Sequence, residues 1–159
     1  IFHGEFFPAR GPLLSAHVDA FLAHFETRGW IECSAGELRA TEAGEPHLAF
    51  LAEQMRAVLE SYFVAVSTAE QQAEPVGRRT LERRIAEQFE RAELIGETGL
   101  PEANNPVTFA NAVDLMIRRG MLAAVPKSSD RRDPLFGRGP NWPELARLRE
   151  RLATALRPR

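Results

Sequence analysis

The sequence has a single cysteine, a single lysine and no apolar run near the ~20 residues that a membrane-spanning helix needs. The lone Cys33 cannot form an internal disulfide, which suits a reducing compartment. No signal peptide is recognisable, and the first residue is Ile1 rather than methionine, so we expect an excised piece of a longer chain. The 159 residues, 44% apolar and 26% charged, predict a soluble globular protein of one domain or two small lobes.

Signatures of catalysis are absent as well. There is no Gly-x-Ser-x-Gly turn and no nucleotide P-loop, and the glycines of residues 137–140 lack the strand-to-helix context of a phosphate loop. His17 and His24 lie seven residues apart on one predicted helix, whereas zinc helices usually present ligands about three or four residues apart. We interpret both as partly exposed histidines, and predict no catalytic residue, no metal site and no cofactor.

The net charge of −2 is unevenly distributed. Residues 1–75 hold 11 acids and 4 bases, whereas residues 76–159 hold 11 acids and 16 bases. Two oppositely charged halves can attract each other, or the basic half can face an anionic partner.

The pattern of helices and turns predicts a mainly α fold of two small helical lobes with short β-hairpins, winged-helix-like, joined by a polar linker. A winged-helix-like first lobe covers residues 1–66 and ends in a long amphipathic helix, the linker covers 67–79, and a basic helical second lobe covers 80–159. The order helix, Arg-Gly, short apolar strand occurs at Arg28 and again at Arg119, as it does where winged-helix units enter their wing. The alternative is that helix–glycine–strand is simply a common arrangement.

Local signals place the elements within these lobes. A helix from near residue 13 ends at Gly29, and two short strands follow at residues 30–33 and 37–40. Later helices are predicted to be capped by polar side chains. These predicted caps are Thr80, Thr108 and Asn141.

Residues 47–66 form the predicted spine, one long helix with no obvious chemistry. Its apolar side chains recur at steps of three or four residues and share one face. We expect Glu53, Arg56 and Glu60 to point to the opposite side. The residues of the apolar face are Leu48, Leu51, Met55, Val58, Tyr62 and Val66.

Arginine clusters in the second half are the clearest polar signal, because guanidinium groups bind phosphate in a bidentate manner. They predict a surface for anionic lipid headgroups or phosphorylated ligands. The alternatives are a solvated face, in which Arg83 pairs with Glu87, and docking against the acidic first lobe. The candidate residues are Arg78, Arg79, Arg83, Arg84, Lys127, Arg131 and Arg132. Further positive charge comes from Arg118, Arg119, Arg147 and Arg151.

A nucleic-acid partner is not expected, because the phosphate backbone demands a basic face. The helix before the first predicted wing offers Arg28 alone against Asp19 and Glu26. In the second lobe the bases interleave with glutamates.

Several stretches resemble the C-terminal region of long glycerol-3-phosphate acyltransferases. Arg56-Ala57 stands where that family often has Arg-Pro, and residues 106–115 are similar to one of its helices. Further similarity lies at Glu5-Phe6-Phe7, at residues 29–44 and at Gly120-Met121-Leu122. In the long helix the matching residues are Leu51, Val58, Leu59, Glu60, Ser61 and Tyr62.

The resemblance implies an enzyme that transfers an acyl group from acyl-CoA or acyl carrier protein to glycerol 3-phosphate at a membrane surface. That family's catalytic signature is His-x-x-x-x-Asp, with histidine as the base. The fifth residue after each of the four histidines is Pro8, Leu22, Gly29 or Ala52, and never aspartate. No catalytic residue can therefore be carried over, and the fragment itself is expected to be inactive.

We therefore expect an accessory, structural domain of an acyltransferase-like enzyme of phospholipid synthesis. Its partner would be the catalytic domain of the same parent chain, with an anionic membrane surface as a second one. The expected location is the cytoplasmic side, peripheral to the inner or plasma membrane. The alternative is a winged-helix-like regulatory or protein-interaction module.

Overall fold

The computed structural model describes residues 14–34, 36–96, 98–125 and 134–157, with side chains from residue 18 onward. Within these ranges it has five α-helices, one 3-10 turn and five short strands, which confirms the prediction of a mainly α protein. The contacts divide the chain into two units, residues 1–55 and 56–159.

The first unit is built on a helix, a hairpin and the start of a second helix. Its elements are α1 (Leu14–Thr27), β1 (Ile31–Ser34), β2 (Glu37–Ala40) and the first part of α2 (Glu45–Glu70). As predicted, Gly29 ends α1, since its φ of 68° is the left-handed conformation that glycine adopts easily. The strands pair antiparallel, with Ile31 opposite Ala40.

Thr41 joins this hairpin to the start of α2. Its hydroxyl donates to the carbonyl of Gly29 at 2.6 Å and accepts from the N–H of Gly44 at 2.9 Å. A Cβ atom on Gly44 would lie 1.9 Å from the carbonyl oxygen of Trp30, so no other residue fits at this crossing. The spacing Thr41-x-x-Gly44 is therefore a structural device that holds the hairpin against the helix.

The second unit combines the rest of α2 with three further helices and a small sheet. Its order is β3 (Val76–Gly77), α3 (Arg78–Leu94), the 3-10 turn η1 (Pro101–Ala103), α4 (Pro106–Arg118), β4 (Leu122–Val125), β5 (Leu135–Arg138) and α5 (Glu144–Leu156). The sheet is antiparallel in the order β3-β5-β4, with Val76 opposite Phe136 and Leu122 opposite Arg138.

The core of this unit comes from apolar stripes with helical spacing. Phe89 on α3 and Phe109 on α4 meet with ring centroids 6.0 Å apart, and both are fully buried. Leu145 and Leu152 are the buried residues of α5 in this core. The other buried members on α2, α3 and α4 include Val64, Ala65, Val66, Ala69, Leu81, Ile85, Ala112, Val113 and Met116.

The predicted helix starts are wrong at two places. Thr80 lies inside α3, whose N-cap is Gly77. Thr108 lies inside α4, which Asn105 caps by accepting a hydrogen bond from the N–H of Val107 at 2.9 Å. The Asn105-Pro106 pair carries this signal in the sequence, because proline is favoured in the first helical turn and asparagine just before it.

Asn141 does not cap α5, because its side-chain amide donates to the carbonyl of Arg119 at 2.8 Å. Residues 67–79, predicted as a polar linker, include the last turn of α2, strand β3 and the first two residues of α3. The boundaries proposed for the two lobes stay a prediction.

No helix within the described ranges has both the length and the apolar character to cross a membrane.

Candidate anion-binding and docking surfaces

Arg78, the first of the predicted anion-binding arginines, is engaged within the second unit. Its guanidinium donates to both carboxylate oxygens of Asp114, at 2.6 and 3.0 Å, and to Glu82 at 2.8 Å. The hydrogen bonds to Asp114 and then to Glu82 raise the pKa of Arg78 above its ordinary value. Arg78 thus ties the start of α3 to α4.

The other three arginines of this predicted cluster are exposed on α3. Arg83 lies 3.7 Å from Glu87, the pair named by the solvated-face alternative, and both side chains are more than half exposed. Arg84 donates to the side-chain oxygen of Gln72. For Arg79, no hydrogen bond or ion pair to another described residue is found. These arginines remain accessible to an anion.

Lys127, Arg131 and Arg132 fall in the sequence between β4 and β5, outside the described residues.

Another arginine group, which the sequence analysis did not assemble, lines a cleft of about 340 Å³ in the second unit. Arg119 follows the end of α4, while Arg147 and Arg151 stand one turn apart on α5. The rest of the lining is Leu115, Met121, Glu144 and Leu148. The spacing of Arg147 and Arg151 was visible in the sequence, but the approach of Arg119 depends on how α4 and α5 pack.

The histidines and the cysteine form no site in the described residues. His24 and Cys33 are exposed, and His47 stacks on Trp30 with ring centroids 4.5 Å apart. The side chain of His17 lies outside the described part. Among the described residues, no group of three or more His, Cys, Asp or Glu could hold a metal ion.

Glu60 is the clearest departure from the predicted face of α2, since it is only 3% exposed. Its carboxylate accepts the backbone N–H groups of Gly99 and Leu100, at 3.1 and 3.2 Å, and the Nε–H of Arg56 at 3.1 Å. The neighbouring buried Ser61 donates its hydroxyl to the carbonyl of Ala103. The Glu-Ser pair thus anchors the segment between α3 and α4, a structural role.

The opposite correction applies to the start of α2, where predicted core residues are exposed. Leu51 and Met55 of the predicted apolar face are each 39% exposed, and Phe50, which lies outside that predicted face, is 65% exposed. On α1 of the same unit Phe21 is 62% exposed. Large apolar side chains left in contact with water commonly mark an interaction surface.

A family model described as the glycerol-3-phosphate acyltransferase C-terminal region matches residues 1–125. No curated protein sequence matches the chain.

Proposed function

Because the chain belongs to the family of glycerol-3-phosphate acyltransferase C-terminal regions, we propose that it is an accessory domain of an acyltransferase of phospholipid synthesis. In this proposal the chain docks on the catalytic domain of its parent and has no turnover of its own. The observation that carries it is the exposure of large apolar side chains in the first unit. The lack of His-x-x-x-x-Asp anywhere in the sequence supports the second part.

The docking surface comprises Phe21 on α1 and Phe50, Leu51 and Met55 on α2. Burying apolar area contributes about 25 cal/mol per Å² before the costs of association, and aromatic anchors commonly dominate an interface. A catalytic domain with a matching apolar patch is therefore the partner that this chemistry fits.

The test is co-purification of this chain with the separately produced catalytic domain of the parent. We expect Phe21→Ser/Phe50→Ser to reduce capture at least tenfold, since two aromatic anchors are lost. Leu94→Ser is the matched control, because Leu94 is 86% exposed but lies in the second unit. Capture that survives the double substitution, or acyl transfer by this chain alone, contradicts the proposal.

We also propose that the exposed arginines of α3 rest on an anionic membrane surface, on the cytoplasmic side of the inner or plasma membrane. Each basic residue near such a surface contributes about 1 kcal/mol. Binding to anionic vesicles should weaken in Arg79→Ala/Arg83→Ala/Arg84→Ala and at high salt. Arg39→Ala is the control, since Arg39 is exposed on β2 and pairs with Glu37. Salt-insensitive binding, or equal binding of both variants, argues against this surface.

A winged-helix interaction module is the second candidate, and one observation favours it for the second unit rather than the first. The element order α2-β3-α3-α4-β4-β5 and the strand order β3-β5-β4 support this candidate, because winged helices arrange their helices and strands in a similar order. The charge on α4 suits a protein partner better than DNA, because Asp114 pairs with Arg78 and only Arg118 is basic there. Tight, salt-sensitive binding of random duplex DNA in a shift assay would instead favour nucleic acid.

A further inference from the structure

We propose that the cleft lined by Arg119, Arg147 and Arg151 binds a phosphomonoester whose apolar part rests on the floor of the cleft. The site uses none of the arginines assigned to the membrane surface of α3. It also does not require that the chain dock on a catalytic domain, so it stands apart from the proposed function.

The charge of the cleft is the first argument. Three arginines and one acidic residue, Glu144, line it. A net charge of two positive units matches the roughly two negative charges of a phosphomonoester at neutral pH. Guanidinium groups also present paired N–H donors, which suit the oxygens of a phosphate.

The placement of the arginines is the second argument. Arg147 and Arg151 are like charges one helical turn apart, an arrangement that destabilises a helix without a counter-ion. Within the described residues, neither these two nor Arg119 forms an ion pair, whereas Arg149 on the same helix pairs with Glu70 at 2.7 Å. A bound dianion would relieve the repulsion.

The apolar lining is the third argument, and it selects among anions. Leu115, Met121 and Leu148 lie beside the arginines, and Met121 is nearly fully buried. Such a floor adds little to the affinity for inorganic phosphate, whereas each methylene group of an ester that it covers increases the affinity for that ester. The favoured ligand is therefore an amphiphilic phosphate ester, either a lipid headgroup or a soluble ester.

The experiment is a calorimetric titration of the whole chain with hexyl phosphate, inorganic phosphate and hexanol. We expect hexyl phosphate to bind at least about tenfold more tightly than inorganic phosphate, and hexanol not to bind measurably. Arg147→Gln and Arg151→Gln should each weaken hexyl phosphate about tenfold or more, because each removes a charge-assisted hydrogen bond. Arg91→Gln, the matched control at an exposed arginine of α3 outside the proposed membrane surface, should leave the affinity unchanged.

Thermal unfolding keeps the test independent of folding defects. Without ligand, Arg151→Gln should unfold at the same temperature as the unsubstituted chain or a higher one, since it removes a like-charge pair. Hexyl phosphate should then raise the unfolding temperature of the unsubstituted chain more than that of the variant.

Vesicles separate the two sources of the ester. The vesicle test uses the Arg79→Ala/Arg83→Ala/Arg84→Ala chain, which lacks the proposed membrane surface of α3. Binding of hexyl phosphate together with phosphatidylcholine vesicles that contain phosphatidate, lost when Arg147→Gln is added, assigns a lipid headgroup. Binding of hexyl phosphate without that vesicle binding assigns a soluble ester. The proposal is overturned if hexyl phosphate does not bind saturably, or if Arg147→Gln and Arg151→Gln bind it as well as Arg91→Gln does.

Discussion

Replacing the buried Glu60 tests whether the family-like Glu-Ser-Tyr stretch is structural. In Glu60→Ala the N–H groups of Gly99 and Leu100 lose a carboxylate acceptor, and Arg56 loses its ion-pair partner. Hydrogen bonds to charged groups contribute about 1.5–3 kcal/mol each, and removing one partner of a buried pair costs about 3–5 kcal/mol.

The loss of unfolding free energy in Glu60→Ala should fall at the lower end of the range for a buried pair, for two structural reasons. The side chain of Arg56 is 32% exposed, so it can turn to water when the carboxylate is gone. Gly99 is also exposed, so water can replace part of its lost bond. We therefore expect Glu60→Ala to lower the free energy of unfolding by about 3 kcal/mol. Glu60→Gln should cost about 2 kcal/mol, because its amide faces donors with one oxygen instead of two.

Urea denaturation followed by circular dichroism measures the loss, with Glu53→Gln, an exposed position on the same helix, as the control. Hydrogen exchange gives a local readout, because the amides of Gly99 and Leu100 should exchange faster in both Glu60 variants. If Glu60→Ala changes the free energy of unfolding by less than about 0.5 kcal/mol, the size of an ordinary surface effect, the anchoring role assigned to Glu60 is wrong.

Three further outcomes follow from single contacts. Burial raises the pKa of Tyr62 above its ordinary value of about 10. The unfolded chain therefore loses this proton first, so the free energy of unfolding should fall as the pH rises from about 10 towards the pKa of the folded state. Tyr62→Phe should remove this pH dependence. Since Tyr62 is the only tyrosine, tyrosinate absorbance reads its titration directly, and a midpoint no higher than in urea-unfolded chain contradicts the burial argument. Gly44→Ala should lower the free energy of unfolding by about 1–3 kcal/mol or more, because the added Cβ would meet a carbonyl oxygen. Gly77→Ala is the control and should change it little, because nothing lies within 4 Å of the added Cβ. Equal effects of the two substitutions in urea denaturation would refute the clash. Arg78→Ala should lower the free energy of unfolding by about 1 kcal/mol, because it breaks the bidentate pair with the half-exposed Asp114. The loss should be larger at low salt than at high salt. A loss that does not depend on salt would contradict an electrostatic origin.

Local structure was predictable wherever a short-range physical rule decides it. Gly29 ends its helix as expected, because a left-handed residue at that point needs glycine, and Gly120 has the same conformation after α4. The leucine stripe of α5 turns its face to the core because apolar residues repeat with the helical period. The start of α4 was predicted at Thr108, although Asn105-Pro106 signals the observed start in the sequence.

The face of α2 could not be predicted from periodicity. Apolar spacing says which residues share a side of the helix, but it does not say what lies against that side. Glu60 is buried because a backbone segment some 40 positions later in the chain supplies donors to its carboxylate, and this removes the cost of burying a charge. Phe50 and Leu51 stay exposed because nothing in the described chain covers them.

The candidate sites show the same division. The basic residues of α3 were found from the sequence. Only the structure shows that Arg78 pairs with Asp114 while Arg79 remains exposed. The arginine cleft was not found, because Arg119 is 28 positions from Arg147 in the chain and no local pattern links them.

By itself the sequence determined the family, the mainly α class, the helix ends at glycine and the absence of the family's catalytic signature. These properties depend on residue identity and on neighbours within a few positions, so they survive without coordinates. The tertiary structure alone decided which charged side chains are paired within the fold and which are exposed to solvent. The energy of a charge depends on its distance to partners and to water, and packing sets those distances between residues far apart in the chain.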